Sequence, residues 1–390
     1  MSRPLEGITV VSLEQAIAAP FCTRQLADLG ARVIKIERPG PGDFARAYDG
    51  RVRGLSSHFV WTNRSKESLT LDVKAPAAAP VLDSLLAKTD VLIQNLAPGA
   101  STRLGLDYET LSKRFPRLIV CDISGYGGDG PYRDKKAYDL LVQSESGFVS
   151  VTGTPEEGVK AGASVADIAA GMYAYSNVLA ALIERGQTGR GKHIDVSMLE
   201  SMVEWMNFPM YYAFDGAEPP PRAGASHATI YPYGPFPTGD GKTVMLGLQN
   251  EREWAAFCKV VLQEPDLATH AAFATNSLRS VNRAQLRARI VEAFGRLTAA
   301  QVVERLEEAK IANANVNTMA DVWAHPQLAA RKRWRTVDTP AGQIPALLPP
   351  GMTDARMDPV PAVGEHTDAI LAETGCTAEQ IARLHADGVV

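Results

Sequence analysis

Strands and helices alternate along the first part of the chain, and this rhythm limits the fold more than any other feature. Short apolar runs separated by segments of helix length occur at Ile8–Leu13, Val33–Ile36, Val91–Ile93 and Leu118–Cys121. Parallel strands need a helical crossover between them, so the alternation predicts a parallel sheet covered by helices. A longer apolar helix is expected at Ala166–Arg185, where a glycine-rich turn ends it.

Two Pro/Gly-rich passages divide the chain. A length of 390 residues exceeds what one hydrophobic core usually organises, which favours two domains. Residues 215–224 and 339–364 are predicted to be linkers because their composition suits neither strand nor helix. We therefore predict a large domain from residues 1–214 and 365–390. A smaller α+β domain is expected at residues 225–338.

Charge and cysteine content narrow the classes of partner. The formal net charge of −4 does not favour a broad nucleic-acid-binding face. Four cysteines lie far apart without a CxxC pair, which predicts neither a disulfide framework nor a structural zinc site. The N-terminus lacks a charged segment before an apolar core, and no uninterrupted apolar run approaches the roughly 20 residues of a membrane helix. We expect a cytoplasmic protein that binds no metal, membrane or nucleic acid.

Asp167 lies where the long apolar helix is expected to begin. Asp is a favoured helix N-cap, so a purely structural role is the simpler interpretation of this position taken alone. A carboxylate at a helix N-terminus is also held ionised and oriented by backbone N–H groups and the helix dipole. Those are properties that a carboxylate nucleophile needs, and both interpretations stay open.

The glycine run Gly125–Gly130 matches the spacing G-x-G-x-x-G after an expected strand. A dinucleotide site would require the run to open a helix directly and to follow the first strand of the unit, and it does neither. HExxH, GxSxG and GxxxxGK[ST] patterns are absent from the sequence. Metalloprotease, serine hydrolase and P-loop functions are therefore not supported.

Three basic residues lie at expected turns: Arg38, Arg103 and Lys136. Each could be an ordinary solvated charge. Open α/β sheets bind ligands at their strand ends, however, so the three together could gather the phosphates of a nucleotide-like cofactor.

Short segments spread along the chain carry a family resemblance when they are taken together. In chain order they are LEGI at 5–8, ARVIKIERPG at 31–40, NRSK at 63–66 with LD at 71–72, NLAPG at 95–99, ISGYG at 123–127, TGRG at 188–191 with DVS at 195–197, and GEHT at 364–367. With these segments the sequence resembles the class III CoA-transferases, also called the formyl-CoA transferase or CaiB/BaiF-like family. The segments span nearly the whole chain in the order that the family has.

The resemblance implies a fold and an assembly. The fold is α/β, with a Rossmann-like large domain whose parallel sheet is formed by both chain ends, plus a smaller α+β domain. Two protomers are expected to interlock as a homodimer. Asp167 matches the aspartate that attacks the acyl-CoA in this family. The residues that resemble contacts to coenzyme A are Gln15, Ala16, Arg38, Asn95, Arg103, Lys136 and Tyr138.

The implied activity moves CoA from an acyl-CoA donor to another small carboxylic acid. It proceeds through an aspartyl mixed anhydride and an aspartyl-CoA thioester. The alternative is an α-methylacyl-CoA racemase on the same fold, which uses a His/Asp pair to move the α-proton. Such racemases resemble this chain but have a histidine where it has Tyr138. Two-base proton exchange needs a group on each face, so the transferase is favoured.

Polar residues of two segments are candidates for binding the acid substrates. Tyr48 follows the first Gly/Pro turn, and Arg222, Ser226, His227 and Tyr233 lie where the small domain should begin. Loop packing would explain these residues equally well. If they instead hold a second carboxylate, the substrates are dicarboxylates, such as succinate with itaconate, mesaconate, malate or glutarate, and the donor is succinyl-CoA or a similar thioester.

Overall fold

The computed structural model describes residues 3–390; Met1 and Ser2, with which the segment considered for a targeting signal begins, lie outside the described residues. Within that range the strands are β1 Thr9–Leu13, β2 Arg32–Glu37, β3 Lys66–Thr70, β4 Val91–Gln94, β5 Ile119–Ser124, β6 His193–Ser197, β7 Tyr233–Pro237, β8 Thr243–Gly247, β9 Ala312–Asn315, β10 Trp334–Val337 and β11 Ile344–Leu347.

The α-helices are α1 Ala18–Asp28, α2 Ser57–Asn63, α3 Ala79–Leu86, α4 Ala100–Arg103, α5 Tyr108–Arg114, α6 Asp139–Glu145, α7 Phe148–Val151, α8 Val165–Thr188, α9 Met198–Trp205, α10 Asn207–Tyr212, α11 Glu251–Ala256, α12 Asn276–Val281, α13 Arg283–Phe294, α14 Ala299–Glu308, α15 Met319–Trp323, α16 Pro326–Ala330, α17 Thr367–Glu373 and α18 Ala378–Ala386. Short 3-10 turns lie at Phe44–Ala47, Pro76–Ala78, Phe214–Gly216 and Pro265–Thr269, and a π-helical turn at Phe257–Leu262 continues α11.

The chain forms two compact units. The first contains the described residues up to Gly147, together with Ala161–Met206 and Leu328–Val390. The second contains Phe148–Lys160 and Asn207–Gln327. These limits differ from the domain boundaries that we read from the Pro/Gly-rich passages, and β11 lies inside the segment 339–364 that was expected to be a linker. The division at those passages stays a prediction.

A six-stranded sheet organises the first unit. All six strands are parallel, in the order β3-β2-β1-β4-β5-β6. This is the strand order of a Rossmann fold, so the predicted Rossmann-like sheet is confirmed. The order reverses between β1 and β4, which leaves a crevice at their carboxyl ends. Open α/β sheets bind their ligands at that point.

The strands of this sheet all lie within the first 197 residues, which corrects the expectation that both chain ends form it. The C-terminal residues contribute α17 and α18, whose side chains join the hydrophobic core under the sheet. At the edge strand β3, the backbone N–H of Ser68 donates to His366 Nδ1 at 3.2 Å and that of Thr70 to Thr367 Oγ1 at 3.0 Å. Side chains thus satisfy part of the exposed edge that another strand would otherwise cover.

Helices α1 and α8 pack closely in the first unit. The buried residues of α8 are mostly small, and a Cβ at Gly171 would lie 2.7 Å from the carbonyl oxygen of Ala18. Glycine is therefore needed for this approach. By length and hydropathy α8 would also suit a membrane span, which is weak evidence because the core helices of soluble proteins share this property. The absence of a membrane partner stays a prediction.

The second unit has its own core. The antiparallel strands β7, β8 and β9 form a three-stranded sheet, and buried aromatic side chains from α11, α13 and the π-helical turn pack against it. Trp254, Phe257 and Phe294 are among its largest fully buried residues. This unit has the α+β character expected of the smaller domain.

Candidate active site

The residues that resemble CoA contacts follow the carboxyl ends of the parallel strands. Gln15 and Ala16 follow β1, Arg38 follows β2, Asn95 follows β4, Arg103 ends α4, and Lys136 and Tyr138 lie between β5 and α6. The side chains of Arg38, Arg103 and Lys136 are exposed. The topology thus places this set at the carboxyl ends of the parallel strands, around the crevice between β1 and β4.

The turn between β1 and α1 is held from two sides. Gln15 exchanges two hydrogen bonds with Asn95: its N–H donates to Asn95 Oδ1 and its carbonyl accepts from Asn95 Nδ2, both at 2.9 Å. The N–H of Ala16 donates to both carboxylate oxygens of Asp43, at 3.1 and 3.2 Å. Ala16 has a φ of 62°, a left-handed conformation that a residue with a Cβ rarely adopts. The turn is therefore held in a conformation that Ala16 would not favour by itself.

A buried ion cluster lies behind this turn and consists of Glu14, Lys35, Asp43 and Lys66. Lys35 Nζ lies 2.7 Å from Asp43 Oδ2 and 3.5 Å from Glu14 Oε1, and Lys66 Nζ lies 2.6 Å from Glu14 Oε1. All four residues are buried. Burial disfavours the charged form of Lys35, but the negative charges of Glu14 and Asp43 outweigh it and raise the pKa of the ammonium group. The cluster thus contains two carboxylates and two ammonium groups.

Asp167 lies in the first turn of α8, after the N-cap residue Ser164. The N–H of Ala166 donates to Asp139 Oδ1 at 2.9 Å, so Asp139 supports the helix start. Burial, and then the negative charge of Asp139, raise the pKa of Asp167 to about 7. Contrary to expectation, the helix N-terminus does not keep this carboxyl group at its ordinary acidity. The N-cap of the helix is Ser164, so the N-cap role considered for Asp167 is wrong, and its role as the nucleophile stays a prediction.

Asp139 and Gln143 were missed by the sequence analysis as parts of this site. Asp139 Oδ2 accepts from Gln143 Nε2 at 2.7 Å, and Gln143 Oε1 accepts from the N–H of Ala161 at 2.9 Å. Helix α6 is thereby bonded at two points to the segment that carries Asp167. The only signal in the sequence was the position of Asp139, directly after Tyr138.

Two tyrosines with exposed side chains, Tyr48 and Tyr138, belong to the same unit as Asp167. Burial, and then the charges of Asp43, Asp167 and Tyr138, raise the pKa of the Tyr48 phenol. Tyr48 therefore lies within electrostatic reach of both Asp167 and Tyr138. The ring of His58 packs perpendicular to the ring of Tyr48, with 5.4 Å between the ring centroids.

The remaining substrate candidates lie in the second unit and have local partners. Arg222 donates from Nε to the carbonyl of Thr154 and from a terminal nitrogen to that of Pro155, both at 2.8 Å. His227 stacks on Tyr233 with 5.2 Å between ring centroids, and its Nδ1 accepts from two backbone N–H groups nearby. These contacts suit loop packing, and a role in substrate binding stays a prediction.

Among residues 3–390 no group of three or more His, Cys, Asp or Glu side chains could hold a metal ion. The glycine run Gly125–Gly130 follows β5, and the next helix begins only at Asp139. The described residues therefore offer neither a metal site nor a dinucleotide site as an alternative to the candidate site around Asp167. The expectation that no metal is used stays a prediction.

Comparison with known proteins assigns the family. The model of the CoA-transferase family III matches residues 5–367. This chain is a family III CoA-transferase. The family resemblance read from the short segments is thereby confirmed, as is the prediction that the protein is an enzyme of the transferase class.

Individual relatives of this CoA-transferase agree with that assignment. The human succinyl-CoA:glutarate CoA-transferase is 34% identical over 383 residues, which cover 95% of this chain and 86% of the relative. The succinyl-CoA:mesaconate CoA-transferase of Haloarcula marismortui is 32% identical, with 95% and 96% covered. The crystal structure of a CaiB/BaiF family protein from Brucella suis is similar with a TM-score of 0.84 and 33% identity, covering 96% of this chain and all of that one. The similarity therefore extends over almost the whole fold.

Proposed function

We propose that this enzyme transfers CoA from succinyl-CoA to a small dicarboxylate, with Asp167 as the covalent nucleophile. The observation that carries the proposal is the position of Asp167: a half-buried carboxyl group in the first turn of α8, in the same unit as the parallel strands whose carboxyl ends gather the residues that resemble CoA contacts. The choice of substrates rests on similar proteins that are named for succinyl-CoA with glutarate or mesaconate.

In the first half of the reaction the Asp167 carboxylate attacks the thioester carbonyl of succinyl-CoA. The C–S bond breaks and the CoA thiolate leaves, since a thiol with a pKa near 8.5 is a good leaving group. A mixed anhydride between Asp167 and succinate remains. The thiolate then attacks the Asp167 carbonyl carbon of that anhydride, which releases succinate and leaves an aspartyl-CoA thioester.

The second half reverses these steps with the acceptor. The acceptor carboxylate attacks the aspartyl thioester, the thiolate leaves again, and a new anhydride forms. Attack of the thiolate on the acceptor's acyl carbon gives the product thioester and regenerates the Asp167 carboxylate. Each step exchanges one anionic nucleophile for one anionic leaving group, so no net proton is needed. Asp167 must be ionised to begin, and its pKa near 7 makes the first step sensitive to pH.

Residues around the crevice are assigned to CoA binding in this proposal. Arg38, Arg103 and Lys136 are exposed cations at one sheet edge, and such groups suit phosphate oxygens. Gln15, Ala16, Asn95 and Tyr138 would contact the rest of the coenzyme. Tyr48 lies within electrostatic reach of Asp167, which favours it as a contact for the acid. Arg222 and His227 are retained as candidates for the second carboxylate.

We further propose that two protomers form an interlocked homodimer in the cytoplasm. Large apolar side chains of residues 205–214 are strongly exposed in the single chain, including Phe208 at 59%, Tyr211 at 75% and Phe214 at 72%. An exposed apolar group of this size is typical of an interface. The cysteines Cys22, Cys121, Cys258 and Cys376 are unpaired, which suits a reducing compartment.

The proposal is tested by measuring CoA exchange from succinyl-CoA to matched mono- and dicarboxylic acids of equal chain length. We expect glutarate, mesaconate or itaconate to be used with a higher kcat/KM than valerate, and malate with a higher kcat/KM than butyrate. Exclusive use of monocarboxylates would contradict the assigned acceptor class. Asp167→Ala separates an enzyme from a binding protein: it should retain CoA binding and lose exchange.

The racemase alternative is distinguished by the α-proton. A racemase run in deuterium oxide incorporates deuterium at the α-carbon of a 2-methylacyl-CoA, whereas this transferase should incorporate none. Tyr138, which precedes Asp139 where racemases have a histidine, is the residue on which that expectation rests.

A further inference from the structure

The buried ion cluster takes no direct part in the proposed chemistry, yet it is hydrogen-bonded to a turn that the proposal assigns to CoA binding. We propose that Asp43, paired with Lys35, is a positioning residue that fixes the Gln15–Ala16 turn for acyl-CoA. This inference rests on the proposed function, in which both residues of the turn contact the thioester substrate.

The conformation of Ala16 requires an external restraint. Its φ of 62° places Ala16 in the left-handed region, which glycine adopts readily but which is unfavourable for a residue with a Cβ. Asn95 holds the residue before it through both backbone groups. Asp43 holds Ala16 itself by accepting its N–H with both carboxylate oxygens. Among residues 3–390, Asp43 is the acceptor that fixes the N–H of Ala16.

Asp43 is itself fixed, which makes it suitable as a restraint. Its Oδ2 lies 2.7 Å from Lys35 Nζ, its Oδ1 accepts from the N–H of Ala45 at 2.9 Å, and its own N–H donates to Glu37 Oε2 at 2.9 Å. The side chains of Asp43 and Lys35 are both fully buried. Because the Asp43 carboxylate is buried and held by these bonds, its restricted position in turn restricts the position of the Ala16 N–H.

Stability alone is a poor explanation for such a cluster. Replacing a buried ion pair by well-packed apolar residues is often neutral or stabilising. The same unit contains a second set of buried charges, in which Asp28 binds Arg24 at 2.7 Å and Arg64 at 2.8 Å. That set lies at the other end of α1, beside the amino ends of the strands. It therefore provides a control in which a buried, ion-paired carboxylate is removed without a contact to the turn.

The experiment compares three variants of the full-length enzyme: Asp43→Asn, the double variant Lys35→Met/Asp43→Asn, and Asp28→Asn as the control. Each is examined by urea unfolding and by the kcat and KM of CoA exchange at a temperature where it is folded. Asp43→Asn removes the nearer of the two carboxylates that face Lys35, so both the stability and the kcat of this variant should fall. We expect kcat to fall about tenfold or more, since a charge-assisted bond is lost and the reacting groups are misplaced, with a smaller change in the acyl-CoA KM.

The double variant separates positioning from folding. It contains no ammonium group at position 35 that has lost its nearer carboxylate, so its urea midpoint should recover towards that of the wild type while kcat stays low. Asp28→Asn should lose stability but keep kcat within about twofold of the wild-type value, because it does not contact the turn.

Recovery of both stability and kcat in the double variant would refute the inference, as would an equal loss of kcat in Asp28→Asn. Absence of CoA exchange in the wild-type enzyme would instead refute the proposed function. The two failures are therefore distinguishable. Wild-type exchange with a selective loss of kcat at Asp43 supports both.

Discussion

Replacing Asp167 by Asn should make the protein more stable at neutral and alkaline pH while removing its activity. The folded chain raises the pKa of this carboxyl group from 3.8 to about 7, a shift of about 3 units. At about 1.4 kcal/mol per unit, the ionised form lowers the free energy of unfolding by about 4 kcal/mol. Asn has a similar shape and cannot ionise, so the variant does not carry this penalty.

The sign follows from proton binding by Asp167 in the two states. Between pH 4 and about 7 the folded state holds the proton that the unfolded chain has released. The free energy of unfolding of the wild type therefore falls as the pH rises through this window, and the full loss is present above it. The difference between Asp167→Asn and the wild type should be near zero at pH 4 and about 4 kcal/mol at pH 8.

Urea unfolding at several pH values between 4 and 8 measures this difference, with Asp354→Asn as the control. Asp354 is an exposed aspartate of the same unit, so its replacement should shift stability by less than about 0.5 kcal/mol at every pH. CoA exchange by Asp167→Asn should fall at least about a thousandfold because the nucleophile is gone. An Asp167→Asn variant no more stable than the wild type at pH 8, or one stabilised equally at all pH values, would refute the reasoning.

Three further predictions concern the neighbours of Asp167, the packing of α8 and the binding of phosphate. Asp139→Asn should move the acidic limb of the kcat/KM profile to lower pH by less than about one unit, because the Asp139 charge is the smaller cause of the raised pKa of Asp167. A pH–rate series measures this shift, and an unchanged acidic limb would contradict the effect assigned to Asp139. In thermal and urea unfolding Gly171→Ala should lose about 1–3 kcal/mol, since its methyl group would lie 2.7 Å from a carbonyl oxygen of α1. Gly186→Ala is the matched control on the same helix: its Cβ meets nothing within 4 Å, and the variant should gain about 0.5–1 kcal/mol, so equal effects at the two glycines would contradict the packing. Arg103→Ala should raise the acyl-CoA KM about tenfold or more with little change in kcat. The increase in KM should be smaller at high salt, because salt screens the attraction between Arg103 and the phosphates. A KM that changes neither with the substitution nor with salt would contradict the assignment of Arg103 to phosphate binding.

The apolar strands and the long helix could be predicted because their own residues are apolar and therefore tend to be buried. Strand β3 could not be predicted in this way, because Lys66–Thr70 is polar apart from Leu69. It is buried because Lys66 pairs with Glu14 and because side chains of the C-terminal segment accept hydrogen bonds from its backbone. Such pairing depends on residues distant in sequence. The expectation that both chain ends form the sheet came from the family resemblance, whereas the C-terminal residues form the helices α17 and α18.

The sequence named Asp167 and the candidate CoA contacts, but it missed Asp139 and Gln143 and gave no account of the electrostatics of the site. The position of Asp167 at a helix start followed from the apolar pattern and the family resemblance. Its raised pKa did not, because burial and the charge of Asp139 arise only when α6 is bonded to the start of α8. The restraint of Ala16 by Asp43 was hidden for the same reason. The CoA and substrate contacts remain predictions for the experiments above.

Covalent trapping at Asp167 tests the central claim most directly. The wild-type enzyme is incubated with succinyl-CoA, treated with hydroxylamine or borohydride, digested and examined by mass spectrometry. We predict a hydroxamate or a reduced side chain at Asp167, formed only in the presence of the thioester. An unmodified Asp167 in enzyme that still exchanges CoA would contradict the account.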